Sequence, residues 1–208
     1  MQAPTQKAKQ CRCEFTFPDV VTRLGLTLTS TRLFPDIQPV AVSADFLSRL
    51  DDGITLALGL DTEKARSEFV VAPILLEFRR LIERRHAVFS GVEFNIEPTT
   101  GLNGYCDFLI TRGPEIYMLT APVVAVAEAK NDNVNTGLGQ CIAEMRGAWL
   151  FNQASKAPIT QVYGAATTGT TWRLLRLRDT ELTLDQSEYY AREVGLILAI
   201  LQHMVATA

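Results

Sequence analysis

Residues 123–131 read VVAVAEAKN, and this run constrains the fold more than any other. A short, continuously apolar segment rich in valine fits a strand buried on both faces, which requires helices above and below its sheet. The segments around it supply them. Upstream, VFSGVEFNIEP and GYCDFLITRG alternate with period two on either side of the turn-rich TTGLNG and predict a hairpin. Downstream, GLGQCIAEMRGAWLFNQ places Leu138, Cys141, Ile142, Met145 and Trp149 on one helical face. QVYGAATTGTTWRLLRL predicts a second hairpin turning at Thr168-Gly169, and SEYYAREVGLILAILQHM predicts a closing helix. The order helix, three strands, helix, two strands, helix implies an α/β fold with a mixed sheet flanked by helices.

The first helix of that order spans TEKARSEFVVAPILLEFRRLIERRH, residues 62 to 86. Val71, Ile74, Leu75, Phe78, Leu81 and Ile82 form its apolar stripe, and Thr62 is a candidate N-cap. Pro73 lacks a backbone donor and predicts a kink or restart. Glu68 falls on the flank of the stripe, where it can look past the edge of the core. The basic FRRLIERRH is interleaved with Glu77 and Glu83 and reads as a solvated helix face.

At 208 residues, 47% hydrophobic and 21% charged, the chain predicts one globular domain. Residues 1–14 read as a loose polar lead-in. Residues 15–60 read as an accessory cap, with Ser43 a helix N-cap ahead of Phe46 and Leu47. Residues 62–178 form the core, and a C-terminal helix over 187–206 is apolar enough to suggest a homodimer. The start has no apolar stretch behind its positive charges, which predicts a cytoplasmic protein. VGLILAILQHMV is too short, and broken by Gln202 and His203, to predict a membrane span. Cys11, Cys13, Cys106 and Cys141 lack zinc-site spacing and read as free thiols, the latter two buried. The formal charge of −3 excludes a sequence-blind nucleic-acid coat.

The apolar run ends on Glu128-Ala129-Lys130. Alternate residues share a face, so Glu128 and Lys130 project together. On the neighbouring strand Asp107 sits in an apolar context, where an unpaired carboxylate is costly. Two carboxylates beside one cation suit a hard divalent ion such as Mg²⁺, with Mn²⁺ as a substitute, because such ions take oxygen ligands and keep several waters. A lysine there can act on an attacking water or on charge developing at a phosphate, so the set points to metal-assisted phosphodiester hydrolysis.

The succession of Glu68 on a helix, Asp107 in GYCDFLI, Glu128-Ala129-Lys130 on the next strand and Gln140 on the next helix resembles the PD-(D/E)XK nuclease superfamily. The hairpin VYGAATTGTTWRLLRL is similar to one seen in several of its branches, and the resemblance covers roughly residues 62 to 178. It implies a restriction-endonuclease-like fold and a Mg²⁺-dependent nuclease acting on DNA, leaving a 5′-phosphate and a 3′-hydroxyl. By position, it implies Asp107 and Glu128 as metal ligands, with the Ala129 carbonyl as a third. It further implies that Lys130 acts on the water, that Glu68 holds a water or a second ion, and that Gln140 orients water or substrate. Cys106 stands where members commonly carry proline. Gln140 lies opposite the apolar stripe of its helix, so the face of Gln140, Ala143, Glu144 and Gly147 must turn to the cleft. Two alternatives stand beside this reading: a catalytically inactive module of the same fold that binds nucleic acid or a protein partner, and an assembly protein in which the charges are a buried ion network.

Overall fold

The computed structural model describes residues 15–97, 100–131 and 133–208. The lead-in 1–14, with Cys11 and Cys13, lies outside the described residues. Among the described residues seven strands form one mixed sheet: β1 (Thr27–Thr31), β2 (His86–Glu93), β3 (Tyr105–Arg112), β4 (Val123–Ala129), β5 (Val162–Thr167), β6 (Thr171–Arg178) and β7 (Glu181–Tyr190). Their spatial order is β1-β7-β6-β5-β4-β3-β2. The pairs β1–β7 and β4–β5 are parallel and the others antiparallel. Every residue of β4 is buried, as its apolar run requires.

Helices α2 (Ala44–Leu60), α3 (Glu63–Arg66), α4 (Ala72–Leu81) and α6 (Val194–Thr207) cover one face, where Val70, Ile74, Phe78 and Leu198 meet Ala125, Ala127, Tyr163 and Trp172. Helices α1 (Asp19–Arg23) and α5 (Leu138–Ala154) cover the other, where Ile142, Met145 and Trp149 meet Leu109, Val126, Leu175 and Leu177. Each large side chain so buried stabilises the fold by roughly 1.5–3 kcal/mol. Two apolar layers thus clamp the sheet, and β4 carries its charged end between them.

Several expectations change in detail. Thr62 does cap the first helical run, its Oγ1 accepting from the Ala65 N–H at 3.1 Å. The kink expected at Pro73 is instead a wide π-helical turn, Ser67–Val71, just ahead of it. The carbonyl of Phe69 has no N–H to meet at residue 73, since proline carries none, and the chain widens so that Ala72 N–H reaches the Ser67 carbonyl. The run ends at Leu81 rather than His86: Glu83 and Arg84 adopt φ of 56° and 58°, and β2 begins at His86.

Residues 15–60, expected as an accessory cap, supply the edge strand β1 and the helix α2, whose Ser43 cap accepts from Phe46 N–H at 3.3 Å. The C-terminal helix expected over 187–206 begins only at Val194, because residues 187–190 finish strand β7. Val194, Ile197, Leu198, Leu201 and Met204 of α6 lie in the core cluster of this same chain. The homodimer expected through that helix therefore lacks the free apolar face on which it was argued. Among the described residues no helix is long and apolar enough to cross a membrane.

Candidate active site

The hairpin β2–β3 brings Asp107 to the edge of β4. On either side the ladder is regular, Ser90 pairing with Phe108 and Val92 with Cys106, but between them Gly91 adopts φ 63°, a conformation that favours glycine. On the other side of β3 the ladder with β4 stops at Phe108 and Ala127, and beyond it the Asp107 side chain takes the place of a backbone acceptor. Its Oδ2 accepts the Ala129 N–H at 2.8 Å. The next amide, that of Lys130, turns the other way and donates to the Thr167 carbonyl of β5 at 2.7 Å. N–H and C=O of one extended residue point to the same side, so the Ala129 carbonyl also faces the β3 edge.

Glu128 is 1% exposed, and its Oε1 meets Lys130 Nζ at 2.5 Å. Lys130 Nζ also donates to Gln140 Oε1 at 3.3 Å and lies 3.7 Å from a carboxylate oxygen of Glu63. Gln140 Nε2 donates in turn to Glu144 Oε1 at 3.3 Å. The approach of α5 that makes these contacts depends on Gly137 at its start. A Cβ there would sit 3.0 Å from Lys130 Cγ and 3.6 Å from Glu128 Cγ. Helix α5 turns Gln140 and Glu144 toward Lys130, while Cys141, Ile142 and Met145 enter the core.

The carboxylates burden one another. Burial, and then the charge of Asp107, push Glu128 up to about 8, against the pull of Lys130. Burial also raises Asp107 above the usual carboxylate range, opposed by the Ala129 N–H and Lys130. Glu144 is raised well above that range, chiefly by burial and then by Glu128 and Asp107. Burial works against the Lys130 ammonium, but Glu128, Glu63 and Asp107 outweigh it and leave the lysine more firmly protonated. Among the described residues neither Glu128 Oε2 nor Glu144 Oε2 meets an N–H or hydroxyl donor, although both are sealed from solvent; the two carboxyls lie against each other, where one proton can serve both. A buried carboxylate oxygen in that state is costly unless a proton or a cation meets it.

Beside Asp107 opens a cleft of about 270 Å³, lined by Glu63, Lys64, Ser67, Glu68, Ser90 and Gly91. The structure therefore brings Asp107, Glu128, Lys130 and Gln140 together. Glu68 reaches the same cleft but not the cluster: its side chain is half exposed and pairs with Lys64 at 2.8 Å. Glu63, one turn earlier, is the helix carboxylate nearest Lys130. Arg66 holds this corner in place, its guanidinium reaching Asn131 Oδ1 at 2.9 Å, the Thr168 carbonyl at 3.3 Å and Asp61 Oδ1 at 3.1 Å. One side chain thus ties α3, the end of β4 and the β5–β6 turn.

Cys106 is buried, as expected, but on the α5 side, beside the carboxylates. Burial first, and Glu144, Glu128 and Asp107 after it, push its thiol far up and keep it protonated. The basic run that begins in the last turns of α4 is partly neutralised, since Glu77 binds the Arg80 guanidinium through both oxygens. Compared with known proteins, the sequence matches no family model and no curated sequence. The class of this protein therefore rests on the cluster itself.

Proposed function

We propose that the chain is a Mg²⁺-dependent nuclease that hydrolyses DNA phosphodiester bonds through Asp107, Glu128 and Lys130, on a restriction-endonuclease-like fold. One observation carries the reading: the end of β4 buries Glu128 beside Asp107 with one oxygen met, among the described residues, by no nitrogen donor, so two carboxyls crowd together next to the cleft that Asp107 lines. Among the described residues no three His, Cys, Asp or Glu side chains are gathered as a ready-made ligand group. Two carboxylates and the Ala129 carbonyl nonetheless fit a hard ion that retains much of its own water, which is the habit of Mg²⁺. Asp107 and Glu128 would hold the ion, and Glu63 or Glu68 would face it across the cleft. When bound, it supplies Lewis-acid polarisation of a phosphoryl oxygen and a water acidic enough to react near neutral pH. Lys130 keeps its proton at Nζ and offers a positive charge to the oxygens of a phosphate in the cleft. Gln140 and Glu128 fix where that ammonium sits.

A specific observation favours the alternative of an inactive module that binds nucleic acid or a partner: the Lys130 ammonium is already enclosed by Glu128, Gln140 and Glu63. A nicking assay on plasmid and single-stranded DNA separates the two. The nuclease reading expects cleavage with Mg²⁺ or Mn²⁺, none with a chelator, and none by Asp107→Ala. DNA bound but left uncut by the wild type in the presence of either ion supports the inactive module instead.

A further inference from the structure

Glutamine carries an acceptor and a donor on one amide group, and what it offers a neighbour depends on which end faces it. Gln140 and Glu144 are four residues apart on α5, so they stand one above the other on a single helical face. The Glu144 carboxyl accepts from Gln140 Nε2, and Gln140 Oε1 accepts from Lys130 Nζ, each at 3.3 Å. A reversed amide would set its NH₂ against the ammonium and its oxygen against the carboxyl, replacing two bonds by two repulsions. Lys130 would then keep Glu128 and the more distant Glu63 alone.

We propose that Glu144 is a positioning residue: it fixes the Gln140 amide with its oxygen toward Lys130, and thereby fixes the Lys130 ammonium over Glu128. The sequence resemblance gives no role to this position, and its catalytic meaning rests on the nuclease reading. Glu144 does not line the cleft; its carboxyl meets Gln140 and also lies against Glu128, so the Gln140 amide is the readout that isolates its positioning role. What it supplies is an acceptor oxygen in a fixed place. A glutamine at 144 preserves that oxygen, whereas a leucine of similar bulk removes it.

The test compares Glu144→Gln with Glu144→Leu by two readouts. In the first, the Gln140 side-chain amide signals are identified by their loss in Gln140→Ala, and their exchange with deuterium is followed by NMR in the full chain. Slow exchange is expected in the wild type and in Glu144→Gln, and fast exchange in Glu144→Leu. In the second, DNA cleavage is measured at saturating Mg²⁺. Misplacing a reacting group by about an ångström costs up to ~10²-fold, so a kcat loss of about 10-fold or more is expected in Glu144→Leu, with KM for DNA little changed and most turnover kept by Glu144→Gln. Unaltered amide exchange in Glu144→Leu, or equal damage by both substitutions, overturns the proposal. If the wild type cuts no DNA under any condition, the amide exchange alone decides the positioning role, and the nuclease reading falls separately.

Discussion

Two strands of this sheet bury a carboxylate almost completely, and they do so in opposite ways. Asp185 on β7 is fully buried, with Oδ1 accepting the Ser187 N–H and Oδ2 accepting the Tyr189 hydroxyl, each at 2.9 Å. Both oxygens have donors, and the side chain stitches its own strand. Glu128 on β4 has Lys130 on one oxygen and, among the described residues, no N–H or hydroxyl donor on the other, with the carboxyls of Asp107 and Glu144 close by. A satisfied buried acid stabilises; an unsatisfied one among like charges stores a demand for positive charge. On the proposed reading the difference separates a structural carboxylate from a ligand, and it is open to attack from both sides.

The largest effect is expected on turnover. On the nuclease reading, Lys130→Ala removes the ammonium but neither proposed ligand carboxylate, so cleavage should fall by about 10²–10³-fold while Mn²⁺ still binds, as calorimetric titration reads. An equal loss of ion binding would mean that Lys130 holds the site together rather than serving the reaction.

Asp185→Ala should act on stability alone. It strands the Ser187 N–H and the Tyr189 hydroxyl, at about 1–3 kcal/mol for each donor left unpaired, and should leave ion binding and cleavage of the folded protein as they were. Denaturant unfolding checks the first part and calorimetry the second. An effect on the ion would erase the contrast between the two acids.

A smaller effect concerns pH. Because Glu128 is held above its ordinary range, the folded chain binds a proton there that the unfolded chain releases. The stability this contributes is fully present below the unfolded value near 4.5 and is lost as pH rises toward about 8. The ion-free wild type should therefore lose stability between those limits relative to Glu128→Gln. Melting curves of both proteins at several pH values give the comparison, and parallel curves would place the burden on another group.

Much of this contrast was legible in sequence on the β4 side alone. The run VVAVA declared its burial, and charges at its lip had to be turned to one face by strand alternation. Helical phase put Gln140 and Glu144 opposite the stripe of α5, and that face does meet Lys130. Glu63 was hidden because an acid just after the Thr62 cap is ordinary helix-start chemistry, so Glu68 drew the attention instead. Gly91 gave no signal of its positive φ in FSGVE. Strands β1 and β7 were missed for a different reason. All five residues of β1 are exposed and it is held by backbone pairing to β7, so its side chains carry no pattern of burial. With β7 unread, its last residues were absorbed into the apolar helix that follows.

The central claim is that the unmet charge at Asp107 and Glu128 calls for a divalent cation, and a crystal soaked in Mn²⁺ tests it most directly. The expected result is an anomalous peak within about 2.0–2.3 Å of an oxygen from each of Asp107 and Glu128, with water completing the coordination. No peak there at millimolar Mn²⁺, with Glu128 still bound to Lys130 as it is now, would contradict the claim and make the end of β4 an ion network like any other.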